Sequence, residues 1–415
     1  MTTIPQASQL APAAVARVQR RTVWVLSLGQ ILGGLAFGAT VSLGAILAAE
    51  LSGDDAFSGL AAAGVTLGTA VLAVPLAALA QRWGRRLALT IGMAIALVGV
   101  AFVVVAVAIG SFPLLLVAFG LIGSGQAANL QTRFAAADLS TDATRGRDLS
   151  VVVWATTIGA VLGPNLVGPG EVLGQLFGMP DLTGPYLFTI VAQILAIALY
   201  LAALRPDPLL LAQRVVSAAG GSGTAIARAD RPMAARFAIF AIAAAHGVMV
   251  SVMAMTPVHL LHHGETLSII GLTISLHIAG MFALSPVFGI LADRVGRVAT
   301  VLLGQVLLAA ALITASFGQE STVAVTVGLV LLGLGWSAAT VAGSTLLTEA
   351  SSEQRRTRRQ GLSDLLMSLV GAIGAILAGV VLGWIGYGGL ALLAGIAVVA
   401  VVALAPLGRR PATRD

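Results

Sequence analysis

The sequence predicts an all-α membrane protein with twelve transmembrane helices in two pseudo-symmetric six-helix halves. Three observations lead there. The chain has 415 residues, 58% hydrophobic and only 10% charged, whereas a soluble domain carries about a quarter charged residues. Apolar runs of about 20 residues, the length that crosses a bilayer core, recur from end to end. The second half also repeats the first.

The runs fall at 23–49, 56–80, 87–109, 113–137, 150–170, 185–204, 232–258, 267–291, 299–316, 322–349, 361–384 and 388–407. Glycine is abundant, at 49 residues, and stretches such as "LGQILGGLAFG" (28–38) let helix backbones approach closely. The basic residues set the orientation. All 23 are Arg. With the N-terminus in the cytoplasm, every Arg falls in a cytoplasmic segment or at a cytoplasmic helix end. They sit in the N-terminal tail, "QRWGRR" (81–86), residues 133–148, the centre (205–236), "DRVGR" (293–297), "SSEQRRTRRQ" (351–360) and the C-terminal tail. The opposite loops hold acids and His: Glu50, Asp54, Asp55, Glu171, Asp181, Glu265, Glu320, His259, His262 and His263. This one-sidedness is the positive-inside pattern, with both termini cytoplasmic. The formal net charge of +6 therefore reports topology. No nucleic-acid partner is expected, because the basic runs lack interleaved aromatics. No cleavable leader is expected either, since the first apolar run is too long for one. The absence of Cys excludes disulfides and thiolate metal sites.

The repeat has an offset of 211 to 212 residues. "ALAQRWGRRL" (78–87) aligns with "ILADRVGRVA" (290–299), Gln81 on Asp293 and Gly84 on Gly296. "DLSTDATRGR" (138–147) aligns with "EASSEQRRTR" (349–358). Six helices per copy give both copies the same orientation. The expected organisation is a cytoplasmic tail (1–22), an N-terminal half (23–204), a cytoplasmic linker (205–231), a C-terminal half (232–407) and a second tail (408–415). Two such halves suit alternating access around a midplane site.

On these residues the chain resembles the major facilitator superfamily over essentially its whole length. "GILADRVGR" (289–297) is similar to the signature loop between helices 8 and 9. The resemblance implies a gating role for Asp293, Arg294, Gly296 and Arg297. Asp293 is expected to bridge to backbone or Arg near the cytoplasmic ends of helices 8 and 11. In the first half Ala77 and Gln81 replace the usual Gly and Asp, so the latch there should be weaker. "GAVLGPNLVGPG" (159–170) is similar to the Gly-Pro motif of proton-coupled drug antiporters without matching it completely.

Cargo candidates come from mid-depth. No carboxylate is central, and Asp138, Glu349 and Asp364 lie near cytoplasmic ends, as loop-capping or latch groups. What remains is imidazole and sulfur. His246, Met249 and Met253 share one face of helix 7, and His277 and Met281 one face of helix 8. Gln126, Asn129, Gln131 and Asn165 are the polar neutrals of the other half. Met at this spacing also serves as core filler, and a membrane His as a helix-packing donor. Thioether with imidazole favours copper over Mg, Ca or Mn.

"MVSVM" (249–253) and "HIAGM" (277–281) resemble the two motifs of the CcoA-like copper importers, with both spacings and both helices matching. The resemblance implies a copper importer of the bacterial inner membrane that supplies haem–copper oxidase assembly. Its ligands would be Met249, Met253, His277 and Met281. His246 lies outside the motif, as an auxiliary ligand, a proton carrier or a packing donor. His259, His262 and His263 are candidates for capturing an external cupric ion, or form an ordinary polar loop. The expected partners are copper as cargo, the lipid bilayer and possible coupling protons, with no prosthetic group, on a monomer. The alternatives are a proton-coupled efflux antiporter for small molecules and a non-transporting sensor. No nucleophile–base pair or phosphate loop suggests an enzyme.

Overall fold

The computed structural model describes residues 12–54, 57, 59–218 and 230–409. The N-terminal tail to residue 11, Asp55, the linker segment 219–229 and residues 410–415 lie outside the described residues. Among the described residues nine helices are long and apolar enough to cross a membrane. One of these, Arg356–Gly408, joins two expected spans. Each apolar run of the sequence coincides with a helix or with two consecutive ones.

By its internal contacts the chain divides into two compact units. The first is Met1–Thr141, Ala155–Ala227 and Gln360–Leu365, and the second Asp142–Trp154, Arg228–Arg359 and Leu366–Asp415. Compared with the expected halves, the start of the fifth span and a short piece of the eleventh have changed sides.

In the first unit, α1 (Pro12–Ser52) begins eleven residues before its apolar run, so half of the expected tail is helix. Then follow α2 (Leu60–Trp83), α3 (Arg85–Ala108) and α4 (Phe112–Ala136). The fifth span runs from α5 (Arg145–Asn165) into α6 (Val167–Leu176), broken between Pro164 and Pro169, which lack backbone donors. After α7 (Tyr186–Ala203), the expected linker contains a helix, α8 (Pro208–Ala218). Leu211 and Ala212 of α8 pack with Leu139, Val15 and Val18, and Asp207 caps the helix by accepting from Leu209 and Leu210 N–H.

The second unit holds α9 (Pro232–His262), α10 (Leu267–Phe282), α11 (Ser285–Arg294), α12 (Arg297–Phe317), α13 (Thr322–Glu349) and α14 (Arg356–Leu404), closed by a 3-10 turn (Ala405–Gly408). The eighth span is split into α10 and α11 ahead of Pro286. In α14, Gly386 has φ 72° and ψ 179°, which separates the eleventh span from the twelfth. Asp230, just before α9, pairs with Arg355 at 2.7 Å and Arg359 at 2.8 Å and accepts from Ser352 N–H. Partial burial alone would raise its pKa, but Ser352 and the two arginines outweigh that and hold it below the usual carboxylate range.

The duplication read from the sequence recurs in backbone detail. Gly84 before α3 has φ 89° and Gly296 before α12 has φ 113°, a region that side-chain-bearing residues avoid. A Cβ on Gly68 would lie 1.9 Å from the Gly120 carbonyl oxygen, and one on Gly280 would lie 2.8 Å from that of Val330. Only glycine lets α2 approach α4, and α10 approach α13, so closely. Ser111 caps α4 and Ser321 caps α13 in the same way. Trp24, Phe317 and Trp384 are among the large apolar side chains left exposed, as a lipid-facing surface requires.

Candidate functional site

α9 is a long apolar helix that starts with Pro232 at its first turn. Met249 is buried in the core of the second unit with Val252, Leu308 and Leu312, and Met253 is half-buried against the same cluster. Met281 of α10 also packs against this cluster. With Met255, which packs there too, four thioethers thus border one apolar core.

His277 is wholly buried. Its Nδ1 lies 2.8 Å from the Leu329 carbonyl oxygen of α13. A carbonyl only accepts, so Nδ1 carries the proton. Nε2 is then a bare lone pair, buried and without a hydrogen-bond partner among the described residues. The two helices that carry the four candidate ligands, α9 and α10, both rest mainly on α13 and touch each other only slightly. The cause is small residues. A Cβ on Gly333 of α13 would lie 2.5 Å from the His277 carbonyl oxygen and 2.9 Å from the Met281 nitrogen. α10 is therefore drawn onto α13, and the His277 ring goes with it.

His246 accepts through Nδ1 from the Trp336 indole N–H at 3.1 Å. Its Cδ2–Nε2 edge fills the space over Gly371, where a Cβ would lie 2.7 Å from it. Position 246 thus bridges α9, α13 and α14. At the far end of α9, His259 donates to the Gln319 carbonyl at 2.8 Å and stacks on Tyr387 with ring centroids 4.2 Å apart. His263 uses Nδ1 on the His259 carbonyl and faces Glu320 through Nε2 at 3.4 Å. His262 is exposed. Among the described residues no three His, Asp or Glu side chains converge as a metal cluster.

The loop residues form a tight polar centre within the second unit. The Asp293 carboxylate accepts from the backbone N–H groups of Gly146 and Arg147, both at 2.9 Å, and forms an ion pair with Arg297 at 3.3 Å. The backbone partner is the first turn of α5, where unpaired N–H groups and the helix dipole favour an anion. The expectation was backbone or Arg near the ends of the eighth and eleventh spans: Arg297 follows the eighth span as expected, whereas the backbone partner belongs to the fifth. Gly289 allows the approach, because a Cβ there would lie 2.1 Å from Ser150 Oγ. Arg297 also pairs with Glu349 at 2.9 Å, and Arg231 meets the same carboxylate at 2.7 Å. Gly296 supplies the turn, and Arg294 is exposed.

Sequence reading underestimated two acids. Asp138 is wholly buried and pairs with equally buried Arg85, Nε to Oδ2 at 2.9 Å. Asp364 is wholly buried and pairs with Arg133 at 2.5 Å. Neither caps a loop in water. The available signal was an Arg at the end or start of an apolar run opposite each acid, but nothing in the sequence says which acid meets which Arg. The first unit also contains a small cavity bordered by Gly33, Met93, Gln126, Asn129 and Gln193.

A family model described as Major Facilitator Superfamily matches residues 26–268 and 237–415. Two uncharacterized MFS-type transporters of Bacillus subtilis are similar. YdeG is 37% identical over 85% of this chain and 84% of its own length, and YddS 37% identical over 86% and 83%. The riboflavin transporter RfnT of Brucella anthropi is 29% identical over 85% of this chain and 86% of its own. Among solved structures, the human organic anion transporter MFSD10 (TETRAN) superposes with a TM-score of 0.77 at 18% identity, covering 93% of this chain and 99% of that one. The fucose:proton symporter FucP of E. coli gives 0.64 at 15% identity, covering 94% and 98%. At these identities the two structures speak for the fold alone.

Proposed function

Since this chain belongs to the Major Facilitator Superfamily and is a secondary transporter rather than an enzyme, we propose that its cargo is copper, imported across the bacterial cytoplasmic membrane for haem–copper oxidase assembly. The observation that carries the proposal is His277. Metal-ligating histidines commonly donate their other ring N–H to a backbone carbonyl, which fixes the tautomer and aims the lone pair. Here Nδ1 is held by Leu329, and Nε2 is left buried and unpartnered. Met281 is one turn away on the same face, and Met249 and Met253 border the same core. Thioether with imidazole is a donor set suited to copper. The members of each pair are about 6 Å apart along their helix axes, so the ion is held by two or three ligands at a time and remains exchangeable.

A second reading has its own support. The relative from Brucella is named for riboflavin, and a flat heteroaromatic cargo would use amides such as Gln126, Asn129 and Gln193. The deciding experiment is uptake of radiolabelled copper and of riboflavin by cells with and without the protein, with zinc and manganese as controls. Copper uptake that depends on the protein supports the first reading. Riboflavin uptake without copper uptake overturns it, and extrusion of either points to efflux.

We assign both termini and the Arg-bearing loops to the cytoplasm. Reporter enzymes active only in the periplasm should stay silent when fused after residue 145 or 356. We also assign Asp293 the role of a latch on the first turn of α5. Asp293→Asn removes a charge worth about 1 kcal/mol at a helix N-terminus. It should slow copper uptake several-fold while leaving equilibrium copper binding nearly unchanged. A loss of binding with unchanged turnover per bound ion would contradict the latch.

A further inference from the structure

Among the ion pairs described above, Arg133–Asp364 is the one whose carboxylate keeps a buried oxygen without a hydrogen-bond partner among the described residues. Asp364 Oδ1 accepts from Arg133 Nη2 at 2.5 Å. Asp364 Oδ2 and Arg133 Nε are both buried and without hydrogen-bond partners among the described residues. The charged groups around the carboxylate are few. α4 contributes Arg133, and α3 contributes Arg85, which reaches α14 through Gln360 at 2.6 Å but already pairs with Asp138 of the turn after α4. From α2, the Ala77 side chain and the backbone of Ala73 and Val74 lie against Gly361. Asp364 is therefore bonded to one cation, Arg133, with Arg85 close enough to add its field, and has one oxygen open to a proton.

We propose that Asp364 is the proton-binding site of the transport cycle and Arg133 its releasable counter-ion. A hydronium ion gives up one proton to Oδ2 and leaves as water, so an O–H bond forms on the carboxyl while the guanidinium keeps its charge. A neutral Asp364 leaves Arg133 as an uncompensated buried cation, which is strongly unfavourable. The state is relieved only if the start of α14 loosens from α4 and Arg133 is hydrated. Proton binding and movement of this helix are thereby coupled. α14 belongs to the first unit only through Gln360–Leu365 and continues as part of the second, so the pair sits where such movement would be felt along the chain. The route is also polar. Gln126, Asn129 and Arg133 recur at helical spacing along one face of α4. The cavity beside them carries the unpartnered oxygens Asn129 Oδ1 and Gln193 Oε1, acceptors suited to water. The proposal rests on the chain being a secondary transporter, not on what it carries, so it can fail without touching the copper reading.

The test uses purified full-length protein without cargo. Infrared difference spectroscopy follows the protonated-carboxyl band on acidification. Amide hydrogen exchange, corrected for its intrinsic pH dependence, follows residues 360–366. Wild type should gain a carboxyl band before the exposed acids titrate near pH 4. Protection of 360–366 should fall about tenfold across the same step, as in a local opening. Asp364→Asn should lose the band. Because that variant leaves Arg133 buried and unpaired, the paired change Asp364→Asn with Arg133→Gln serves as the folded control. It should show neither band nor pH-dependent protection. A band that survives in either variant, or protection in the double variant that still falls with pH as in wild type, overturns the proposal.

Discussion

Asp138→Ala is expected to cost the protein a large part of its stability. Asp138 and Arg85 are both wholly buried, and the guanidinium meets both carboxylate oxygens, at 2.9 and 3.4 Å, as well as Gln360 at 2.6 Å. Removing one partner of a buried pair leaves the other charge uncompensated, at about 3–5 kcal/mol. Domains have only about 5–15 kcal/mol in hand. Thermal unfolding in detergent, followed by size-exclusion fluorescence, should shift down by about 10 °C. Asp138→Leu combined with Arg85→Met removes both charges and should recover most of the loss, because apolar replacements of buried pairs are often neutral. A single variant that melts with wild type would mean that Arg85 is hydrated and the pair is not buried in the membrane-embedded protein.

His277→Ala should reduce copper uptake by about 100-fold, the top of the 10–100-fold range that loss of a supporting neighbour of a metal ligand brings. An effect at that end follows from removing the ligand itself. His277→Gln keeps a polar group for Leu329 but offers a poorer donor to a soft metal, and should recover folding without recovering uptake. The thioethers are tested separately. Met249→Leu with Met253→Leu preserves volume and removes only sulfur, and should lower uptake by about tenfold with unchanged melting. Met249 lies within the core cluster, so the opposite result is a real alternative. If the double variant is folded and imports copper at the wild-type rate, the sulfurs on α9 are packing atoms.

Much of the fold was legible because it is written in composition. An apolar run of about 20 residues must satisfy its backbone internally in lipid, and the helix is the local way to do so. The repeat was legible because turns need particular residues, as at Gly84 and Gly296 with their positive φ. The extension of α1 before its apolar run was missed because hydropathy measures burial in lipid, not helicity. The site was legible in its residue types and not in its directions. His277 faces α13 because Gly280 and Gly333 let two helices close on each other, a pairing 53 residues apart in sequence (333 − 280). Asp364 meets Arg133 across 231 residues. Periodicity along one helix carries no information about which helix lies opposite.

The two copies of the repeat have inherited the same acid and have used it differently. Asp138 answers to Arg85, whereas Glu349 lies within 4.0 Å of Arg145, Arg231 and Arg297 at once. One further substitution, at Arg85, is therefore enough to rebalance the loss of the first acid. The second acid ties three separate stretches of chain to one point, so replacing it unsettles three cations at once and no single substitution elsewhere rebalances them all. Aligned residues in the two halves are thus not interchangeable. A variant that exchanges Asp138 and Glu349 should be harmed at both ends, once by a lost partner and once by a lost hub.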